Sequence, residues 1–152
     1  KHRAVYLRDE LRKKGCFDQS LIDRIDKFID RNYQVPLINT LVHGDLKTVH
    51  VLKRQQEIYF IDFGLFGLAN PLYDFAFLHM ESRNKEDSFK SIAYASNELL
   101  GHTFALSSQQ TDIYLKSSIF YRLMYNLGFS LRHRPDKTVK RVIGELVEII
   151  KE

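Results

Sequence analysis

Three side chains able to bind a cation or move a proton fall within eight positions of "LVHGDLKTVH" (residues 41 to 50): His43, Asp45 and His50. Lys47 lies between the last two, and a second carboxylate, Asp62, ends "YFID" (59 to 62) just before Phe63-Gly64. Carboxylates and an imidazole at this density suit two kinds of chemistry. They can ligate a divalent cation, or a carboxylate can take the proton of an attacking hydroxyl. They also have a plainer use, because an aspartate after glycine or before Phe-Gly can simply bond its own backbone in a turn. The choice depends on whether the surrounding elements bring the groups together.

The flanking pattern predicts a rigid scaffold. "LINTLV" (37 to 42), "VHVLK" (49 to 53) and "EIYFI" (57 to 61) are short β-branched and aromatic runs that read as strands. Only "RQQ" separates the last two, short enough for an antiparallel hairpin, which sets the start of its first strand beside the end of its second. Asp45 and His50 therefore enter at the end of the hairpin where Asp62 leaves. That is a geometry for a metal site, a general-base site or both, carried on loops over a fixed support.

Helices account for most of the rest. Residues 2 to 14 read as a helix stopped by Gly15, and Asp18 caps a second whose Leu21, Ile22, Ile25, Phe28 and Ile29 share one face until Pro36. Asn70-Pro71 is an N-cap followed by proline at the first helical position. Further helices fit 85 to 100, 110 to 131 and 136 to 151, the last with Val139, Val142, Ile143, Leu146, Val147 and Ile150 inward. The fold class expected is α+β, mostly helical, as a single domain over residues 1 to 152.

Composition narrows the function. At 152 residues and 44% hydrophobic, the chain can bury a core of its own. No apolar run reaches the roughly 18 residues of a membrane span, and "KHRAVYLRDE" is charged where a signal peptide is apolar. Cys16 is the only cysteine, which suits a reducing compartment and a small buried core position. These features predict a cytoplasmic protein with no membrane partner. The net charge of +4 is spread along helices, with its densest group at "RHRPDK" (132 to 137), and this reads as a solvated helix end without nucleic-acid binding.

"HGDLKTVHVL" followed by "IYFIDFG" resembles the catalytic loop and metal-binding segment of the protein-kinase-like phosphotransferases. "GLANPLYDFAFL" (67 to 78) resembles the aminoglycoside phosphotransferase branch, which also holds macrolide, choline and homoserine kinases. The resemblance implies a protein-kinase-like C-terminal lobe, its small β-hairpin carrying both loops. By it Asp45 is the general base, Asp62 the main magnesium ligand, and His43 and Asp74 supports of the catalytic loop. Asp74 also reads as a first-turn carboxylate facing the helix dipole. Phosphoryl transfer needs a base aimed at the acceptor hydroxyl and cations bridging the phosphates, with the rate coming from positioning and charge stabilisation.

This chain departs from the family pattern in three ways. His50 stands where most members carry asparagine as second metal ligand; histidine there resembles the macrolide and 2''-aminoglycoside phosphotransferases, and the resemblance implies magnesium as the ion, with manganese relatively favoured by an imidazole. Lys47 resembles the protein-kinase lysine that steadies the transferring phosphate, while an exposed loop lysine is ordinarily just solvated. Neither G-x-G-x-x-G nor G-x-x-x-x-G-K-[ST] is present, and Lys53 of "VHVLK" follows the catalytic loop rather than preceding it. The chain is therefore expected to be a C-terminal lobe whose N-terminal nucleotide-clamping lobe is supplied in cis outside it, inactive when isolated.

Only eight positions separate Asp62 from Asn70, too few for the activation segment with which a protein kinase docks its substrate. The expected acceptor is a small hydroxylated molecule, an aminoglycoside, macrolide, sugar or amino alcohol, with ATP or GTP as donor. Glu81, Glu86, Asp87, Glu98 and Asp112 are few and mixed with bases, so a polycationic acceptor is not singled out. Two other readings stand beside this one: a pseudokinase-like binding lobe without catalysis, and a metal-dependent hydrolase with His43, Asp45, His50 and Asp62 around zinc.

Overall fold

The computed structural model describes residues 2–32, 38–82, 86–133 and 137–151. They are mostly helical with two small antiparallel sheets, in agreement with the α+β expectation. The chain divides into two compact units, one of Lys1–Pro36 with Phe120–Glu152 and one of Leu37–Ile119.

In the first unit, α1 (His2–Lys13) packs on α2 (Gln19–Asn32). Gly15 takes φ +66° and ends α1 with the paired bonds of a Schellman motif, Gly15 N–H to Arg12 O and Cys16 N–H to Leu11 O. Asp18 caps α2 by accepting the Leu21 N–H at 2.8 Å. On α2, Ile22, Ile25, Phe28 and Ile29 are buried, and Leu21 at the edge of the stripe is half-buried. Each fully buried side chain of this kind contributes about 1.5–3 kcal/mol. Arg8 ties the two helices by hydrogen bonding Asp26. The 26-residue helix α5 (Ser108–His133) brings Phe120, Leu123, Met124 and Leu127 into this core, with the Phe28 and Phe120 rings 4.7 Å apart. In α6 (Lys137–Ile149) Val142 and Leu146 are buried, as is Ile150 just beyond it, while Val139, Ile143 and Val147 are half-buried. Pro36, expected to stop α2, lies outside the described residues. Cys16 is half-buried rather than the small core residue the sequence suggests, because it sits just past a helix end; burial still pushes its thiol pKa up.

The second unit carries both sheets. Strand β1 (Thr40–Val42) pairs with β4 (Gly67–Ala69) in the register Thr40↔Ala69, Leu41↔Leu68 and Val42↔Gly67. Strands β2 (Val51–Arg54) and β3 (Glu57–Phe60) form the expected hairpin, closed by Gln55 and Gln56 with Gln55 at φ +55°. Three details differ from the sequence reading. Residues Thr48–His50 form a 3₁₀ turn, not the start of a strand, because His50 N–H bonds to Lys47 O and local bonds outcompete the ladder. The described part of "LINTLV" is a strand only from Thr40, and β4 is too short to show an alternating pattern. Asn70 caps through its side-chain oxygen, which accepts the Leu72 N–H at 2.9 Å, but residues 71 and 72 form a turn and α3 proper is Tyr73–Ser82. Helix α3 packs on α4 (Glu86–Phe104). No helix among the described residues is long and apolar enough to cross a membrane.

Candidate active site

The loop from His43 to His50 is held from three directions. Beneath it, Asp74 in the first turn of α3 accepts two backbone bonds, His43 N–H to Oδ2 at 2.7 Å and Gly44 N–H to Oδ1 at 2.9 Å. Charge-assisted bonds of this kind are about twice as strong as neutral ones. Between the two donors, Gly44 takes φ +86°, and a Cβ there would lie 2.1 Å from Leu65 O, so the loop presses directly on the segment after Asp62.

From the side, His43 is buried and its Nε2 lies 2.8 Å from Ile61 O. A carbonyl only accepts, so Nε2 carries a proton; Nδ1 is buried and has no hydrogen-bond partner among the described residues. The ring packs tilted against Phe63 at 4.5 Å and stacks on His50 at 5.9 Å, joining the 43–50 loop to the Asp62 segment. His43 thus braces the two loops through Nε2 and its ring face.

At the far end the other ring nitrogen is the donor. His50 Nδ1 lies 2.8 Å from Asp45 O, so Nδ1 donates, and in the neutral ring this leaves Nε2 as the acceptor nitrogen. That nitrogen faces Asp62 Oδ2 at 3.6 Å, too long for a hydrogen bond and close enough for both atoms to reach one cation. Ile61 N–H bonds to His50 O at 3.0 Å and fixes the two segments in register. Asp62 itself adopts φ +63°, the left-handed region that costs a non-glycine residue roughly 1–2 kcal/mol. Lys47 donates Nζ to Asp45 Oδ2 at 2.5 Å, so it is paired to the aspartate and not merely solvated.

The structure therefore gathers Asp45, Lys47, His50 and Asp62 at one end of the hairpin, with His43 and Asp74 supporting the backbone that carries them. The four residues of the zinc-hydrolase reading do not form one donor set: His43 Nε2 is spent on Ile61 O, and among the described residues no three His, Cys, Asp or Glu groups could hold a metal together. One carboxylate and one imidazole could hold a divalent ion that takes its remaining ligands from phosphates and water, the imidazole suiting manganese better than magnesium. One contact escapes the sequence reading altogether. Glu81, in the last turn of α3, accepts the Thr48 N–H at 2.8 Å. Its seven-residue spacing from Asp74, which puts both carboxylates on one helix face, was the available signal.

A family model, described as the phosphotransferase enzyme family, matches residues 1–101. The chain belongs to that family, and a kinase-type phosphotransferase is its general class. No curated protein and no solved structure matches the chain.

Proposed function

We propose that residues 37 to 119 carry the catalytic centre of a protein-kinase-like lobe that phosphorylates a hydroxyl of a small molecule, with ATP or GTP as donor. The observation that carries this reading is His50 Nε2 facing Asp62 Oδ2 at 3.6 Å, one loop away from Asp45. Asp45 takes the proton of the acceptor hydroxyl as its oxygen bonds to the terminal phosphorus of the donor. The bond from that phosphorus to the bridging oxygen breaks, and nucleoside diphosphate leaves. Lys47, held on Asp45, brings a positive charge to the oxygens of the group in transfer. Asp62 and His50 would hold magnesium, or manganese, which supplies charge neutralisation at the donor phosphates. His43 and Asp74 keep the loop in the geometry that makes the attack effectively intramolecular.

The short path from Asp62 to Asn70 supports a small acceptor, since it leaves no platform for a protein substrate. Leu52 and Tyr59 lie opposite each other on one face of the hairpin and Ile58 and Phe60 on the other, all exposed, so either face offers an apolar surface suited to a nucleotide base.

The test is Asp45→Asn in the intact protein, assayed for phosphorylation of a panel of hydroxylated acceptors with ATP and GTP. Turnover should fall about 10²- to 10⁴-fold while metal-dependent nucleotide binding persists. Full turnover under conditions where chemistry limits the rate would overturn the base assignment. Nucleotide binding with no turnover on any acceptor would favour a regulatory lobe instead.

A further inference from the structure

The 3₁₀ turn that delivers His50 starts on a residue that cannot cap it. Lys47 occupies the cap position with extended backbone (φ −118°, ψ 160°) and makes no side-chain cap bond. Lysine has no acceptor to offer, and its ammonium is committed to Asp45. The first amides of any helical turn need acceptors, ordinarily from a Ser, Thr, Asp or Asn at the cap. Here the Thr48 N–H finds its acceptor 33 residues downstream, on Glu81 Oε2 at 2.8 Å.

We infer that Glu81 is a positioning residue of the site: it caps the Thr48–His50 turn from a distance, fixing Lys47 and His50 against Asp45 and Asp62. Asp74 and Glu81 sit two helical turns apart on α3, which sets their backbones about 10.5 Å apart along the axis. The loop they hold runs from Gly44 to Thr48, a stretch that spans at most about 14 Å when extended. One helix face thus grips the loop at both ends, with His43 and Gly44 on Asp74 and Thr48 on Glu81. From Thr48 the restraint passes along the turn. His50 N–H is bonded to Lys47 O at 2.9 Å, the His50 ring to Asp45 O, and His50 O to Ile61 N–H, the residue before Asp62. The arrangement leaves position 47 open to a residue with no acceptor, so that a lysine can serve Asp45 while a remote carboxylate does the capping. The inference rests on the proposed phosphotransfer site for its functional consequence, but its contact is measurable without that site.

The experiment uses the intact protein as wild type, Glu81→Ala, Glu81→Gln and Glu81→Asp. Gln keeps reach and an acceptor oxygen without the charge; Asp keeps the charge and shortens the reach. Two readouts apply: exchange of the Thr48 amide with the ring-nitrogen chemical shifts of His50, and Mn²⁺ affinity in the presence of nucleotide. Glu81→Ala and Glu81→Asp should speed Thr48 exchange at least about tenfold, the loss of a charge-assisted bond. Both should weaken Mn²⁺ binding roughly tenfold, the low end for a supporting contact, and blur the Nδ1–H tautomer of His50. Glu81→Gln should restore most of each. Unchanged Thr48 exchange in Glu81→Ala overturns the inference. So does faster exchange with unaltered His50 shifts and unaltered Mn²⁺ affinity, which would make the contact structural only. If the wild type bound no Mn²⁺ with nucleotide, the phosphotransfer reading would fall, and Thr48 exchange with the His50 shifts would still decide the role of Glu81.

Discussion

Helix α6 and the stretch from Ile58 to Leu68 are both rich in apolar residues and are used in opposite ways. In α6, Val142 and Leu146 are buried with relative exposures of 2% and 0%, so the helix is placed by what it removes from water. Between 58 and 68, Ile58, Phe63, Leu65, Phe66 and Leu68 all remain at least half exposed, from 50% for Phe63 to 73% for Leu68. Burial cannot be what positions Asp62 there. Its place is set by polar contacts: Ile61 N–H on His50 O, Ile61 O on His43 Nε2, and the tight approach of Gly44 to Leu65. The helical unit tolerates small shifts because many weak contacts share the load, whereas the site depends on a few directional bonds, any of which can be removed by one atom.

The sharpest way to break this contrast is the same substitution in both regions. Gly44→Ala should cost roughly 3 kcal/mol or more, from the left-handed backbone and the collision with Leu65 O, and should abolish Mn²⁺–nucleotide binding. Gly144→Ala on α6, where an added Cβ meets nothing within 4 Å among the described residues, should instead stabilise by about 0.5–1 kcal/mol. Urea midpoints of the two variants check the opposite signs. A second pair tests where burial matters. Leu146→Ala should cost about 2–5 kcal/mol, and Leu68→Ala should stay within about 0.5 kcal/mol in the same titration. The smallest expected effect concerns strain. Asp62→Gly relieves the φ of +63° and should leave stability at or above wild type by up to about 1 kcal/mol while removing metal binding. A clear loss of stability would show that the Asp62 side chain holds the fold and not only a ligand.

The helices were legible because their signals are periodic and local. The stripe of Ile22, Ile25, Phe28 and Ile29, the stop at Gly15 and the caps at Asp18 and Asn70 all act within a few residues of where they are written. The hairpin was legible for the same reason, and it suffices to bring Asp45, His50 and Asp62 to one end. What escaped was set by contacts distant in sequence or by very short elements. Nothing in "GLA" announces β4, whose partner lies 27 residues earlier at Thr40–Val42. The 3₁₀ turn hides within a run of β-branched residues because His50 bonds locally to Lys47 and Asp45. Glu81 read as one acidic residue among several until its 33-residue reach to Thr48 could be measured.

A cation held by the His50 imidazole and the Asp62 carboxylate must sense a histidine nitrogen. Electron spin-echo modulation of Mn²⁺ bound to the intact protein with nucleotide, recorded with ordinary and ¹⁵N-labelled histidine, tests it directly. The expected result is coupling to a single histidine nitrogen, altered by the label, absent in His50→Asn and lost with the metal itself in Asp62→Asn. Mn²⁺ bound with nucleotide but showing no histidine coupling in the wild type would contradict it, removing His50 from the site.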